Sequence, residues 1–208
     1  MRLILENVTI CRGERTILEG FSLEVAGGET ILLTGRNGAG KTTLLRAIAG
    51  VLPVADGKIA LDPGGGEAAA GAEVAEQCHF VGHLNGIKGQ LSVAENARFW
   101  TDFLGGDRNG VLEALRQFRL AELSAIRAGY LSAGQKRRLG LVRVMLARRP
   151  LWLLDEPAVS LDTASQHILA EAIERHQAGG GITIAATHQP LGVGSTREVQ
   201  LGAGRIGS

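Results

Sequence analysis

A glycine-rich segment carries the most specific chemistry in the chain. Residues 35–42 read GRNGAGKT, which matches the pattern G-x-x-x-x-G-K-[ST]. A loop with few side chains lets backbone N–H groups converge on phosphate oxygens, and the N-terminus of a following helix adds positive potential. Lys41 is suited to the β- and γ-phosphates of a nucleotide, and the Thr42 hydroxyl to Mg²⁺. The alternative is an ordinary turn between strand and helix. The residues expected at the phosphates are Gly35, Arg36, Asn37, Gly38, Ala39, Gly40, Lys41, Thr42 and Thr43.

Two adjacent carboxylates follow a short apolar run later in the chain. Residues 151–157 read LWLLDEP, which predicts a buried strand whose end delivers Asp155 to Mg²⁺ through a water molecule. Glu156 comes next, beside the metal and where a water can attack the γ-phosphate. One carboxylate would thus serve the metal and the other the nucleophile. An acidic cap between strand and loop is the alternative interpretation.

Short strands and helices must position these residues. Thr30–Thr34 predicts a buried strand directly before the glycine-rich segment, and residues 41–49 have helical spacing that ends at Gly50. From about residue 84 to 150 the pattern becomes helical, which predicts an inserted helical subdomain. Strands alternating with helices predict an α/β domain with a mostly parallel sheet. The other strand-like segments are Leu3–Thr9, Phe21–Val25, Lys58–Leu61, His79–Gly82 and residues 182–187.

The composition excludes several classes of protein. The chain has 208 residues, enough for one core, and its 45% hydrophobic content excludes a disordered chain. Lys and Arg (22) balance Asp and Glu (21), which argues against a nucleic-acid partner or a polybasic membrane patch. Two cysteines are too few for a disulfide framework, and Cys11 is expected to be a small packed residue. With no 18-residue apolar run and no signal core at its start, we expect an intracellular protein.

The segment LSAGQKRR, residues 131–138, resembles the LSGGQ signature of the ATP-binding cassette (ABC) ATPases. Taken alone, Ser132 and Gln135 also fit a capping box at a helix start. The resemblance implies that this helix start, with the Ser132 hydroxyl, the Gly134 amide and Gln135, binds the γ-phosphate of ATP held by another subunit. Ala133 replaces the usual glycine and should leave those donors intact.

Further segments match this family in the same order along the chain. VSLD, residues 159–162, resembles the loop after the second carboxylate site, and Asp162 would communicate across the dimer. His188 resembles the switch histidine that contacts the γ-phosphate and orients the attacking water, although a lone histidine at a strand end is usually structural. The resemblance implies that Glu156, His188 and Lys41 are catalytic. It also implies a P-loop NTPase cassette over residues 1–208, with a RecA-like core, an antiparallel β subdomain and the helical subdomain at about 84–150.

Two positions depart from the usual pattern. Arg12 falls where an aromatic residue usually stacks on adenine, and a guanidinium plane can stack in its place. His83 falls where a glutamine usually joins the nucleotide site to the helical subdomain, and it is a poorer direct Mg²⁺ partner than an amide. Around them, residues 11–15 (CRGER) and 82–88 (GHLNGIK) resemble the ABC ATPases of cytochrome c maturation.

This resemblance implies ATP and Mg²⁺ as cofactors and a homodimer of ATPase subunits that closes head-to-tail on two ATP molecules. It implies integral membrane subunits as partners, a peripheral place on the cytoplasmic face of the bacterial inner membrane, and haem handled by the complex rather than by this chain. The alternatives are the ATPase of another ABC exporter, or a weakly hydrolysing clamp gated by ATP. A soluble ABC protein of translation or DNA repair usually needs a longer chain.

Three further groups of residues have open roles. The basic residues 136–138, Arg143, Arg148 and Arg149 are interpreted as a solvated helix face rather than a nucleic-acid site. The aromatic residues Phe99, Trp100 and Phe103 either hold the helical subdomain together or line a groove for membrane partners. The glycines 64–66 and 71 predict a surface loop. Trp152 is expected in the core.

Overall fold

A five-stranded parallel sheet lies at the centre of the computed structural model, which describes residues 1–64, 69–70 and 72–202. Its strand order is β6-β7-β8-β3-β9. The strands β3, β7 and β8 are buried almost throughout, which explains why their sequences are short apolar runs rather than alternating patterns. The strands in these ranges are β1 (Arg2–Arg12), β2 (Arg15–Ala26), β3 (Thr30–Thr34), β4 (Asp56–Asp62), β5 (Ala69–Ala70), β6 (Cys78–Val81), β7 (Leu151–Asp155), β8 (Ile182–Ala186) and β9 (Arg197–Gln200).

A second sheet is antiparallel, with the order β2-β1-β4-β5. Strands β1 and β2 form a long hairpin that turns at Gly13, and their pairing reaches from Arg2 opposite Ala26 to Arg12 opposite Arg15. Both strands are longer than the apolar pattern predicts. The added residues include the apolar Ile10, Ile17 and Leu18 as well as polar residues, and they continue the cross-strand pairing of the hairpin.

Six α-helices cover the sheets: α1 (Lys41–Ile48), α2 (Ala72–Glu76), α3 (Val93–Leu104), α4 (Val111–Gln117), α5 (Ala133–Leu146) and α6 (Thr163–Ala178) within the described ranges. The three helical patterns between residues 84 and 150 correspond to α3, α4 and α5, which pack against one another. Side chains at three helix starts accept backbone hydrogen bonds, which fixes where those helices begin: Ser92 before α3, Ser132 before α5 and Asp162 before α6.

The central sheet separates two apolar cores because alternate side chains of a strand point to opposite faces. In β3, Ile31 and Leu33 pack with α1 and the antiparallel sheet, whereas Leu32 packs on the side of α3 to α6. Trp152 lies in the second core, as predicted, and its ring stacks on that of His176 with centroids 4.0 Å apart. No helix in the described parts of the chain is both long and apolar enough to span a bilayer.

The interpretation of the basic residues on α5 as a solvated face is wrong for two of them. Arg137 is only 4% exposed and Arg143 only 8%. Arg143 packs over the ring of Trp100, with its guanidinium carbon 4.9 Å from the ring centroid, and Arg137 donates to backbone carbonyls. The aromatic ring beside Arg143 and the carbonyl acceptors of Arg137 thus offset the loss of water around each buried charge.

The aromatic cluster of α3 divides between core and surface. Trp100 packs against the helical core, while Phe103 is 71% exposed and stacks on Phe99 with centroids 6.3 Å apart. Only part of the cluster therefore holds the helices together.

The predicted glycine loop lies, apart from Gly64, outside the described residues. Cys11 is half-buried, with its thiol 3.7 Å from the Thr16 hydroxyl.

Candidate nucleotide-binding site

The glycine-rich segment forms a loop between β3 and α1 that needs a glycine at two of its positions. Gly35 and Gly40 have φ values of +132° and +97°, which disfavour other residues. A Cβ at Gly35 would collide with the Leu201 carbonyl, and one at Gly40 would lie 3.2 Å from Ile17 Cγ2 of the hairpin. The neighbouring strands and hairpin thus require glycines where a phosphate must approach the backbone.

Helix α1 begins at this loop without a side-chain cap. Gly40 has no side chain to accept from the first turn, whereas Ser92, Ser132 and Asp162 cap three other helices. The first turn of α1 also contains no acidic residue. Its leading N–H groups and positive dipole end are therefore suited to an anion.

Lys41, His188 and Glu156 meet at the mouth of the loop. Lys41 Nζ donates to the Gly35 carbonyl at 2.7 Å and lies 3.1 Å from His188 Nε2. Because a charged lysine can only donate, this His188 nitrogen accepts. The same nitrogen is 3.6 Å from Glu156 Oε1. The three residues predicted to be catalytic come from distant parts of the sequence and converge here.

Thr42 and Asp155 supply the oxygen atoms suited to a metal ion. Thr42 Oγ1 lies 3.0 and 3.1 Å from the two carboxylate oxygens of Asp155, which is buried at the end of β7. Mg²⁺ prefers oxygen ligands and is usually held by one or two protein groups together with phosphates and water. The donor set therefore fits Mg²⁺.

Glu156 has an unusual backbone conformation. Its φ is +47°, a left-handed value that is costly for a residue with a side chain. Its N–H donates to the Ala186 carbonyl at 2.8 Å, and its own carbonyl accepts from Arg137 Nη2 at 2.7 Å. Contacts on both sides thus hold the carboxylate where β7 ends.

Arg137 is the site residue that sequence reasoning missed. Burial lowers its pKa, and the nearby charges of Asp155 and Glu156 partly oppose that shift. The available signal is its helical spacing: Leu141 and Val144, four and seven positions later, are buried apolar residues of the same helix. An arginine in register with them lies on the inner face.

The signature residues form a capping box at the start of α5 in this single chain. The Ser132 hydroxyl accepts from the Gln135 N–H at 3.2 Å, and the Gln135 side chain accepts from the Ser132 N–H at 2.8 Å, which confirms the capping box. A Cβ at Gly134 would lie 2.8 Å from the Ser160 carbonyl, so a glycine is needed there. Asp162 caps α6 by accepting from the Ser165 N–H, and the Ser165 side chain and N–H together lower the pKa of Asp162.

The two unusual residues lie on the surface. Arg12 is exposed at the end of β1, opposite Arg15. His83 is exposed after β6, and within the described ranges it makes no hydrogen bond with Thr42 or Asp155. The roles of both residues stay predictions.

Known proteins similar to this chain share one family. The ABC transporter family matches residues 18–159. A protein of Chelativorans sp. (strain BNC1), named cytochrome c biogenesis ATP-binding export protein CcmA, is 50% identical over 98% of this chain and 100% of its own. The protein of that name from Rhodopseudomonas palustris (strain HaA2) is 47% identical, over 98% and 99%.

Solved structures of ABC proteins share the fold. One is the dimer of an ATP-binding cassette in a post-hydrolysis state with ADP and Pi, which has a TM-score of 0.81 at 23% identity and covers 96% of this chain and 94% of that chain. A putative ABC transporter ATP-binding protein from Pyrococcus furiosus has a TM-score of 0.79 at 22% identity, over 95% and 97%. The predicted P-loop ABC cassette fold is confirmed. The chain belongs to the ABC transporter family and, within it, to the CcmA group of cytochrome c biogenesis ATP-binding export proteins.

Proposed function

We propose that this chain is the ATP-hydrolysing subunit of the ABC complex for cytochrome c biogenesis. The observation that carries the proposal is the convergence of Lys41, His188 and Glu156 at the mouth of the phosphate-binding loop, with Nζ–Nε2 and Nε2–Oε1 distances of 3.1 and 3.6 Å. The names of relatives that are 50% and 47% identical over nearly the whole chain support the biological setting.

Each part of the site has a defined task in hydrolysis. The N–H groups of residues 35–43 and Lys41 bind the phosphates and stabilise charge as the γ-phosphate leaves. Glu156 accepts a proton from the attacking water, and His188 orients that water against the γ-phosphate. Mg²⁺, held by Thr42 and through water by Asp155, would neutralise phosphate charge when bound.

The remaining site residues belong to the proposed dimer. Ser132 is exposed at a helix start, and its hydroxyl can donate while it accepts from the Gln135 N–H. We therefore assign the Ser132 hydroxyl, the Gly134 amide and Gln135 to the ATP of a second copy. Asp162 would communicate between the two sites. Arg12, at the exposed hairpin end, would stack on adenine. In this arrangement residues 1–208 act as one cassette, with residues 84–150 as its helical subdomain.

The biological task follows from the complex rather than from a cargo site on this chain. We place the protein on the cytoplasmic face of the inner membrane, bound to integral membrane subunits. There, hydrolysis would drive haem export or the release of haem from its chaperone. A second candidate, a weakly hydrolysing clamp, is favoured by one feature: the exposed His83 stands where a glutamine usually joins the nucleotide site to the helical subdomain.

Phosphate release separates the two functions. The protein is measured alone and after reconstitution with the membrane subunits of its own complex, with Lys41→Ala as the inactive reference and Lys58→Ala, an exposed lysine on β4, as the matched control. A motor subunit releases phosphate over many turnovers, and its rate rises with the membrane subunits. Release limited to one phosphate per chain would instead support the clamp.

A further inference from the structure

Arg137 joins helix α5 to the carboxyl end of β7. Its Nη2 donates to the Asp155 carbonyl at 2.8 Å and to the Glu156 carbonyl at 2.7 Å, while its Nε donates to the Pro157 carbonyl at 3.2 Å. Three consecutive carbonyls, including those of the metal and nucleophile residues, are thus held by one buried guanidinium. One of these three acceptors, Glu156, has a positive φ.

The same guanidinium also holds the segment after β6. Arg137 Nη1 donates to the Gly82 carbonyl at 3.0 Å and to Asn85 Oδ1 at 2.9 Å. Asn85 fits closely against α5, since a Cβ at Gly140 would lie 2.9 Å from Asn85 Oδ1. These two acceptors flank His83, the residue at the expected coupling position. One side chain of α5 therefore contacts two segments that are far apart in sequence.

We propose that Arg137 is a positioning residue that fixes the Asp155–Glu156 backbone for hydrolysis and links it to α5. The inference rests on the proposed function, because α5 begins at Ser132, which would serve the ATP of the second copy. A shift of Glu156 at one ATP therefore reaches, through Arg137, the helix start that holds the other ATP. The expected consequence is positive cooperativity between the two sites that depends on this side chain.

The chemistry of the side chain explains why an arginine is needed. Its guanidinium presents five N–H donors in a fixed planar fork, which reaches the carbonyls of residues 155–157 from one side and the segment 82–85 from the other. Lysine has its donors on a single nitrogen and cannot span both groups. Removing the fork takes a donor from each of the carbonyls of residues 155–157 and weakens the restraint on the left-handed conformation of Glu156.

The experiment compares Arg137→Met and Arg137→Lys with Arg143→Met in the full chain. Arg143 is the matched control: it is buried on the same helix, stacks on Trp100 and makes no hydrogen bond to residues 155–157 in the described structure. We measure ATP affinity, the maximal rate of phosphate release, its Hill coefficient in ATP, and hydrogen–deuterium exchange of the peptides that contain residues 82–85 and 155–160. Circular dichroism verifies that each variant is folded.

We expect ATP affinity within about threefold of the wild type in both Arg137 variants, because the phosphate-binding loop is untouched. The rate should fall by about 10- to 100-fold, as when a residue behind a reactive group is lost. The Hill coefficient should fall to about 1, lysine should not rescue it, and exchange should rise in both peptides. Arg143→Met should change only the thermal midpoint.

Two results would overturn the inference without touching the proposed function. One is an active Arg137→Met enzyme whose rate and Hill coefficient match the wild type within twofold. The other is a wild-type protein whose phosphate release shows no cooperativity in ATP. A wild type without phosphate release contradicts the proposed function instead, and the exchange measurement then still decides whether Arg137 holds both segments.

Discussion

Lys41 and His188 lie 147 positions apart in sequence, and their Nζ and Nε2 atoms are 3.1 Å apart. The contact links the start of α1 to the segment after β8, and both segments follow neighbouring strands of the parallel sheet. Because the carboxyl ends of parallel strands meet at one edge, the sheet brings the Lys41 ammonium and the His188 imidazole together beside the glycine-rich loop.

Replacing His188 by Ala should lower turnover and leave ATP binding almost unchanged. The side chain is placed to orient the attacking water, and such groups contribute about 10²- to 10⁴-fold to a rate. We expect a loss of about 100-fold in phosphate release, with ATP affinity within about threefold. His167→Ala, an exposed histidine on α6, is the control. A turnover equal to the control's would remove His188 from the mechanism.

Thr42→Val should weaken the response to Mg²⁺ specifically. Valine keeps the shape of threonine but lacks the oxygen that lies 3.0 Å from Asp155 Oδ1. The Mg²⁺ concentration for half-maximal phosphate release should rise by about tenfold or more, the effect of losing a well-placed ligand. Thr16→Val, an exposed threonine on β2, should leave the Mg²⁺ response unchanged. Equal Mg²⁺ curves for the two variants would show that Thr42 is not a ligand.

Stability should fall in mild acid because of His79. Burial lowers the pKa of His79 to about 4, although its hydrogen bond to the Ala147 carbonyl partly opposes that shift. Below pH 6.5 the unfolded chain binds a proton that the folded chain refuses, so the free energy of unfolding decreases from pH 6.5 towards pH 4. The full loss is about 3 kcal/mol. Urea unfolding across this range measures it.

His79→Gln provides the test of that assignment. Its amide can still donate to the Ala147 carbonyl, but it cannot titrate. The pH dependence of the free energy of unfolding between pH 4 and 6.5 should become shallower, whereas His167→Gln, on the surface, should leave it unchanged. A wild-type slope retained in His79→Gln would assign the acid sensitivity to another group.

Gly134→Ala should destabilise the signature loop, although alanine is a better helix former. Its Cβ would approach the Ser160 carbonyl to 2.8 Å. Gly110→Ala is the matched control, because its φ is −75° and, among the described residues beyond its chain neighbours, none has an atom within 4 Å of the added Cβ. Thermal unfolding should show a lower midpoint for Gly134→Ala than for the wild type. The free energy of unfolding of Gly110→Ala should instead rise by about 0.4–1 kcal/mol. A midpoint for Gly134→Ala at or above that of the wild type would contradict the close contact.

The parts of the site that could be predicted from sequence are those with local chemistry. The glycine-rich loop, the end of β7 and the capping box of Ser132 each depend on a few neighbouring residues. Arg137 could not be assigned a role in the same way, because its acceptors come from residues 82–85 and 155–157 and only the fold brings them together.

The lengths of the first two strands and the burial of charged residues could not be predicted from local sequence either. The hairpin of β1 and β2 is longer than the predicted strands because each strand pairs with the other. Arg143 has a charge that composition places on the surface, yet the ring of Trp100 provides a favourable buried face. In both cases the deciding partner lies outside the local pattern.

The central claim is that Glu156 acts on the attacking water, and the fate of bound ATP in Glu156→Gln tests it most directly. Radiolabelled ATP is mixed with wild type, with this variant, and with Glu171→Gln, an exposed glutamate on α6. Retained nucleotide and released phosphate are then quantified over time. We predict that Glu156→Gln retains intact ATP in a stable dimer and releases almost no phosphate, while Glu171→Gln behaves as wild type. Conversion to ADP at the wild-type rate in Glu156→Gln would contradict the mechanism.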